Sequence, residues 1–210
     1  MSVAGDVSTR SPGRPAGGTR EVVVAVATRQ YLAGLRVDLR AIAAEVGVGR
    51  TTIYRWFGSR DELVGEVLRN AFHGLIDLAE ARGEGRGTGA VVATMDRVNR
   101  WLAGSEPLRR YLEQEGAAAL RLITASNGPV QPHVVELVAA MIERAMSRTR
   151  QNLRLDAGTL AYAMVRLSEA FLFNDVVAGI RGDVERLHEV QAAILGVAVN
   201  DRARTAAGED

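Results

Sequence analysis

Apolar residues recur every three or four positions along most of the chain, and no stretch alternates strictly between apolar and polar. That period predicts an all-α protein. A first helix is expected from about Arg20 to Ala33, stopping at Gly34. A second starts at Asp38, a good N-cap, and runs through LRAIAAEV to Gly47. A third covers 49–57. A fourth starts at Ser59, carries Asp61 and Glu62 in its first turn where they complement the helix dipole, and runs to about Arg82. Further on, Val91, Met95, Val98 and Leu102 form a stripe with Trp101 beside it, Pro107 sits in the first turn of the next helix, and NGPVQP (127–132) marks a turn. His133–Arg150, Ala157–Gly179 and Asp183–Val199 complete the helices. The pattern divides the chain into an arm (1–19), a small helical domain (20–75), a larger helical domain (76–200) and a polar tail (201–210).

The short helices at 38–57 repay closer reading. Two helices joined by a tight glycine-containing turn are the sequence form of a helix-turn-helix. In 38–46, Leu39, Ile42, Ala43 and Val46 share one face and leave Arg40 and Glu45 outside. At ~100° per residue, Phe57 lies about 40° from Ile53, so these two form the buried stripe of 49–57. Thr51 and Arg55 fall nearly opposite, Thr52 and Tyr54 flank the outer face, and Trp56 lies on the border. Arginine can read guanine edges, a threonine methyl can touch thymine, and hydroxyls can bind phosphate. Arg50 and Arg60, at the two ends of the helix, are placed for phosphates on either side of a groove. The candidate DNA-binding set is therefore Arg40, Arg50, Thr51, Thr52, Tyr54, Arg55, Trp56 and Arg60. A generic helical turn with a solvated polar face is the alternative.

Charge favours the first reading mildly. Residues 1–75 hold ten arginines against seven acids, whereas 76–210 hold sixteen against eighteen. All 26 basic residues are arginine, which excludes a Walker-type lysine loop and a Schiff-base lysine. The absence of cysteine excludes disulfides and thiol chemistry and fits a reducing compartment. RGEGRGTG (82–89) leaves a helix rather than a strand, so a connector is expected rather than a phosphate cradle. His73, His133 and His188 are far apart in the chain and lack metal-ligand spacing. Glu113 and Glu115, beside Gly116, read as solvated charges before a catalytic pair. No enzyme, cofactor or metal is expected. EVVVAVA (21–27) is too short for a secretion signal and no run approaches a membrane span, so a cytoplasmic protein is expected. The arm, rich in Gly, Pro and Ser with Arg10 and Arg14, is expected to be flexible, either a plain tail or an arginine arm touching DNA.

AIAAEVGVGRTTIYRWFGSRDEL (41–63) resembles the DNA-binding domain of the TetR family of transcriptional regulators. Ile42, Ala43, Gly47, Val48, Arg50, Thr52, Tyr54, Phe57, Ser59, Arg60 and Leu63 sit at the family's motif positions, over about 20–75. Gly49 stands where the family usually has Ser or Thr, the loop 34–38 is one residue short, and Trp56 replaces a commoner Tyr or His. These departures, with AYAMVRLSEAFLFNDVVAGIRGDVERL (161–187), are similar to the quorum-quenching (QsdR-type) subgroup. The resemblance implies a TetR-like fold and a homodimeric repressor of a double-stranded operator, linked to lactone catabolism. It also implies a small-molecule effector and no membrane. An activator, or a regulator without a ligand, is the alternative; a helical enzyme or carrier ranks last, since no nucleophile, metal cluster or cofactor loop is visible.

In such proteins the C-terminal helices form a ligand cavity and a dimer interface. In 157–179, Leu160, Met164, Leu167 and Phe171 make one stripe, and Tyr162, Arg166, Glu169 and Phe173 make another nearly opposite. A helix with aromatics on both faces is expected to be buried on both. The second stripe is either an ion pair at the dimer interface or, with Asn174 and Asp175, part of the ligand cavity. Trp101, Tyr111 and Arg121 are secondary candidates for the cavity. Leu187, Val190, Ile194 and Val197, at 3-4-3 spacing, suit a two-fold bundle with a partner subunit.

Overall fold

The computed structural model describes residues 18–83, 85–174 and 183–198. These residues form helices and connections, with no strand among them. In chain order the helices are α1 (Arg20–Leu32), α2 (Leu39–Val46), α3 (Arg50–Phe57), α4 (Arg60–Ala81) and α5 (Gly87–Ala103). Then come α6 (Glu106–Glu115), α7 (Ala117–Thr124), α8 (Gln131–Ser147), α9 (Ala157–Glu169) and α10 (Val184–Ile194).

Local chemistry sets most of the starts. The Asp38 carboxylate accepts the Arg40 N–H at 2.7 Å, the Ser59 hydroxyl the Glu62 N–H at 3.1 Å, and the Asp156 carboxylate the Thr159 N–H at 2.8 Å. Gly47 ends α2 in the left-handed region, at φ +73, and turns the chain into α3.

Helices α1–α3 and the first half of α4 form a head. Its core joins Val23 and Ala27 of α1, Ile42 of α2, Ile53 and Phe57 of α3, and Leu63 and Val67 of α4. This first core continues into the later helices through Leu112 of α6, Leu122 of α7 and Leu187 of α10, while a second core includes Met95 of α5, Met141 and Ile142 of α8, and Leu160 and Met164 of α9. The 22 residues of α4, about 33 Å of helix, enter both cores: Leu68 and Phe72 belong to the first, Ile76 and Ala79 to the second. Gly65 lets α4 press against the loop before α8, since a Cβ there would lie 2.8 Å from Pro129. Arg69 seals that contact by donating to the Pro129 carbonyl at 2.7 Å.

Four expectations are revised. The chain from Gly116, at φ +53, forms α7, a separate helix that the pattern did not announce. Helix α8 begins two residues early, at Gln131. After Glu169 the backbone widens into a π-helical turn, Ala170–Asn174; the rest of the helix predicted to Gly179 lies outside the described residues, as do Asp175, most of the arm and the 201–210 tail. On α10, Leu187 belongs to the chain's own core while Val190 and Ile194 stay partly or fully exposed, and Val197, past the end of the helix, packs partly buried against the second core.

Candidate nucleic-acid interface and buried cavity

Helix α3 divides as its wheel predicts. Ile53 and Phe57 are buried; Thr51, Tyr54 and Arg55 are exposed, Tyr54 by 50%. Thr52 is half-buried. Trp56 is half-buried and packs against the head core, so its ring braces the helix. Gly49 caps α3 without a side-chain bond, leaving the first N–H groups open to an anionic oxygen.

The arginines of the head fall into two groups. Arg20 pairs with Glu66 and Arg29 with Glu45. Arg36 bonds Glu115 at 2.8 Å. Arg60 turns inward, donating to the Val37 carbonyl at 2.8 Å and to Glu115 at 2.7 Å, rather than standing free for a phosphate. By contrast, Arg40, Arg50 and Arg55 are exposed and have no carboxylate partner among the described residues. These three stand on α2 and α3, with the hydroxyls of Thr51 and Tyr54. An exposed set of guanidiniums and hydroxyls on these two short helices suits a phosphate backbone and base edges.

Arg60, turned inward, and Arg36, on the surface, build a joint around one carboxylate. Glu115, at the end of α6, is a largely buried carboxylate rather than the solvated charge expected from its position. The Arg36 hydrogen bond holds its pKa below the ordinary carboxylate value, Arg60 acts in the same direction, and burial opposes both. Next to it, Gln114 Nε2 donates to the Gly34 carbonyl at 2.9 Å. The end of α6 thus clasps the loop after α1 and the start of α4. Glu113 pairs with Arg109 on the surface.

A cavity of about 40 Å³ lies where the two cores meet. Phe72 and Ile76 of α4, Met95 and Val98 of α5, Ile123 of α7 and Val138 of α8 give it apolar walls. Four polar residues reach it: Asn99, Gln131, Ser168 and Glu169. The volume admits a water-sized group and is far below the several hundred Å³ of a typical ligand site. Burial raises the pKa of Glu169, while Arg166 works against that shift. Arg166 pairs with Glu169 at 2.7 Å, and also donates to the Thr124 carbonyl at 2.8 Å and the Ser126 hydroxyl at 2.7 Å. It therefore ties α9 to the end of α7.

Of the residues the sequence offered for a ligand, Glu169 and Phe173 line this cavity. Arg166 reaches it only through Glu169. Tyr162 is 47% exposed, with the Arg166 guanidinium 5.2 Å from its ring centroid, and Arg121 is exposed. Trp101 lines a separate open groove beside Tyr31, Leu75 and Pro107. Tyr111 is buried edge-on to Tyr31, with centroids 6.1 Å apart, at the joint. The side chain of Asn174 lies outside the described residues. Asn99, Gln131 and Ser168 were not anticipated. Asn99 had a signal: it stands four residues after Met95, on the buried side of α5. His73 and His133, remote in the chain, meet edge-on at 6.3 Å. Among the described residues no three metal-ligating side chains cluster.

Comparison with known proteins bears on the fold and the family. A family model for bacterial regulatory proteins of the tetR family matches residues 31–67, and one for the tetracyclin repressor-like C-terminal domain matches 86–196. Among solved structures, the R. erythropolis transcriptional repressor QsdR from the TetR family is similar at 27% identity and a TM-score of 0.80, over 87% of this chain and 97% of that one. The TetR family repressor AlkX from Dietzia sp. strain DQ12-45-1b, implicated in biodegradation of n-alkanes, shares the fold at 23% identity and a TM-score of 0.54, over 82% and 98%. The fatty acid degradation regulator FadR from Bacillus halodurans does so at 13% and 0.54, over 87% and 100%. No curated protein matches the chain.

Proposed function

The chain belongs to the TetR family of transcriptional regulators, and from that premise we propose that it is a repressor released from a palindromic operator by a small molecule. The observation that carries the reading is the outward face of α3, where Arg50 and Arg55 are exposed beside Thr51 and Tyr54, with no carboxylate partner among the described residues. In this reading Arg55 reads base edges in the major groove, and Arg40 and Arg50 hold phosphates. The likeness to a named repressor across nearly the whole chain supports both the repressor role and the QsdR-type subgroup.

The cavity is the proposed effector site, and the effector a lactone or an acyl compound. A molecule larger than about 40 Å³ must part the two cores to enter. Helix α4 belongs to both cores, and the α6 clasp grips the head, so parting them re-aims α3. Release is then a population shift: the effector binds more tightly to the conformation that does not fit DNA. Two subunits pair through α10, where Ile194 is 43% exposed and Val190 half-buried. The proposed location is the cytoplasm; no described helix is long and apolar enough to cross a membrane.

A mobility-shift assay on the DNA flanking the chain's own gene tests this. Salt-sensitive binding, weakened by Arg55→Ala and reversed by lactones of some chain length, is expected. No shift at low salt without effector would remove the repressor reading, and a shift unchanged by every lactone and acyl compound would remove the effector.

A further inference from the structure

Two amide side chains at the cavity each leave a polar atom without a partner. Asn99 and Gln131 are 1% and 2% exposed, and Asn99 Oδ1 and Gln131 Nε2 have no hydrogen-bond partner among the described residues. The atom that Asn99 presents follows from a chain of bonds. The Met164 backbone carbonyl can only accept, and it accepts from Gln191 Nε2 at 3.1 Å. The other end of the Gln191 amide is therefore its oxygen, which accepts from Asn99 Nδ2 at 2.9 Å. Asn99 is left with its oxygen uncommitted, and turning its amide over would set oxygen against oxygen. Gln131 makes no bond that fixes its amide, so it can offer either end.

We infer that the effector is an uncharged, mainly aliphatic molecule whose polar end carries an N–H or O–H that is donated to Asn99 Oδ1. A neighbouring oxygen of the effector accepts from Gln131 Nε2. An alcohol supplies both with one atom and a carboxamide with two; a plain ester or lactone lacks the donor, so within the proposed lactone and acyl class the members that fit carry an added N–H or O–H, as an amide-linked or hydroxylated lactone does. A carboxylate would meet the oxygens of Asn99 and Glu169. An ammonium would be buried among apolar walls, beside a Glu169 that Arg166 already neutralises. The inference rests on the reading of the cavity as the effector site.

Matched probes test it by titration calorimetry on the full chain. The first pair is a 5-butyl γ-lactone and the γ-lactam that differs only in N–H for the ring oxygen. The second is 1-methoxyhexane and heptan-1-ol. The donor-bearing member of each pair is expected to bind at least about tenfold more tightly. Asn99→Leu is expected to bring each ratio to within about twofold. Gln131→Leu weakens all four and leaves the ratios standing. The wild-type ratios decide the question even if Asn99→Leu fails to fold. Equal affinities within both pairs would overturn the inference and leave the amides with a structural water only. A ratio that survives Asn99→Leu would overturn it by placing the donor elsewhere. If none of the four binds, the reading of the cavity falls and the inference with it. A lactam that binds in preference to the lactone but does not displace DNA upholds the inference and removes the proposed regulation.

Discussion

The outer face of α3 and the cavity at the seam both leave polar groups without partners, but under opposite conditions. Arg40, Arg50 and Arg55 stand in water, where an unpaired guanidinium is fully hydrated and costs the fold nothing. Asn99 Oδ1 and Gln131 Nε2 are shut away from it, where an unmade hydrogen bond costs about 1–3 kcal/mol. The α3 face can therefore be altered with little effect on the fold, whereas a substitution at the cavity changes stability as well as binding. Affinity at the first is governed by salt, and at the second by the match of donor to acceptor.

Removing what holds α3 down should have the largest effect. Ile53 is almost fully buried, and Ile53→Ala should lower the unfolding free energy by about 2–5 kcal/mol in denaturant titration. Next, Arg55→Ala should cost about 1–3 kcal/mol of operator affinity while leaving thermal stability within about 0.5 kcal/mol of the parent. Fluorescence anisotropy with operator and unrelated DNA should show the loss on the operator only. A smaller effect is expected at the joint, where Glu115→Gln should cost about 1 kcal/mol of stability.

The pH dependences of the two regions should have opposite signs. Glu115 has a lowered folded pKa, so the unfolded chain binds the proton more readily. Its contribution is present above the ordinary carboxylate value and is lost as pH falls through the lower folded value. Glu169 has a raised folded pKa, so its burial penalises the native state at neutral pH, and that penalty lifts as pH falls through the folded value toward the ordinary one. In denaturant titrations from pH 7 to pH 4, Glu115→Gln should reduce the loss of stability on acidification, and Glu169→Gln should steepen it. The same sign for both would break the contrast. The smallest effect is expected from Tyr54→Phe, which removes one hydroxyl and should weaken operator binding by about 0.5–1.5 kcal/mol.

The head was readable in advance because its signals are local. Asp38, Gly47 and Ser59 mark helix boundaries within a few residues of one another, and Ile53 and Phe57 are one helical turn apart. The cavity was not, because α4, α5, α7, α8 and α9 bring its walls together from across a hundred residues. Its walls are the same apolar residues that any core uses, whereas aromatics such as Trp101 and Tyr162 stand out along the chain without lining it. The better clue was a polar residue inside an apolar stripe: Gln191 sits between Leu187 and Leu195 at four-residue steps, and Asn99 follows Met95 by four. Arg60 was misplaced for a similar reason. Its position at the start of α4 fits a phosphate contact, and only the approach of α6 reveals that Glu115 and the Val37 carbonyl hold it.

The division of the arginines is tested most directly by the slope of log affinity against log salt for the flanking DNA. Arg40→Ala/Arg50→Ala should reduce the slope by about four units, since two phosphates per subunit, four per bound dimer, are no longer neutralised. Arg60→Ala should lower thermal stability and leave the slope unchanged. A slope untouched by the double variant but reduced by Arg60→Ala would contradict the account.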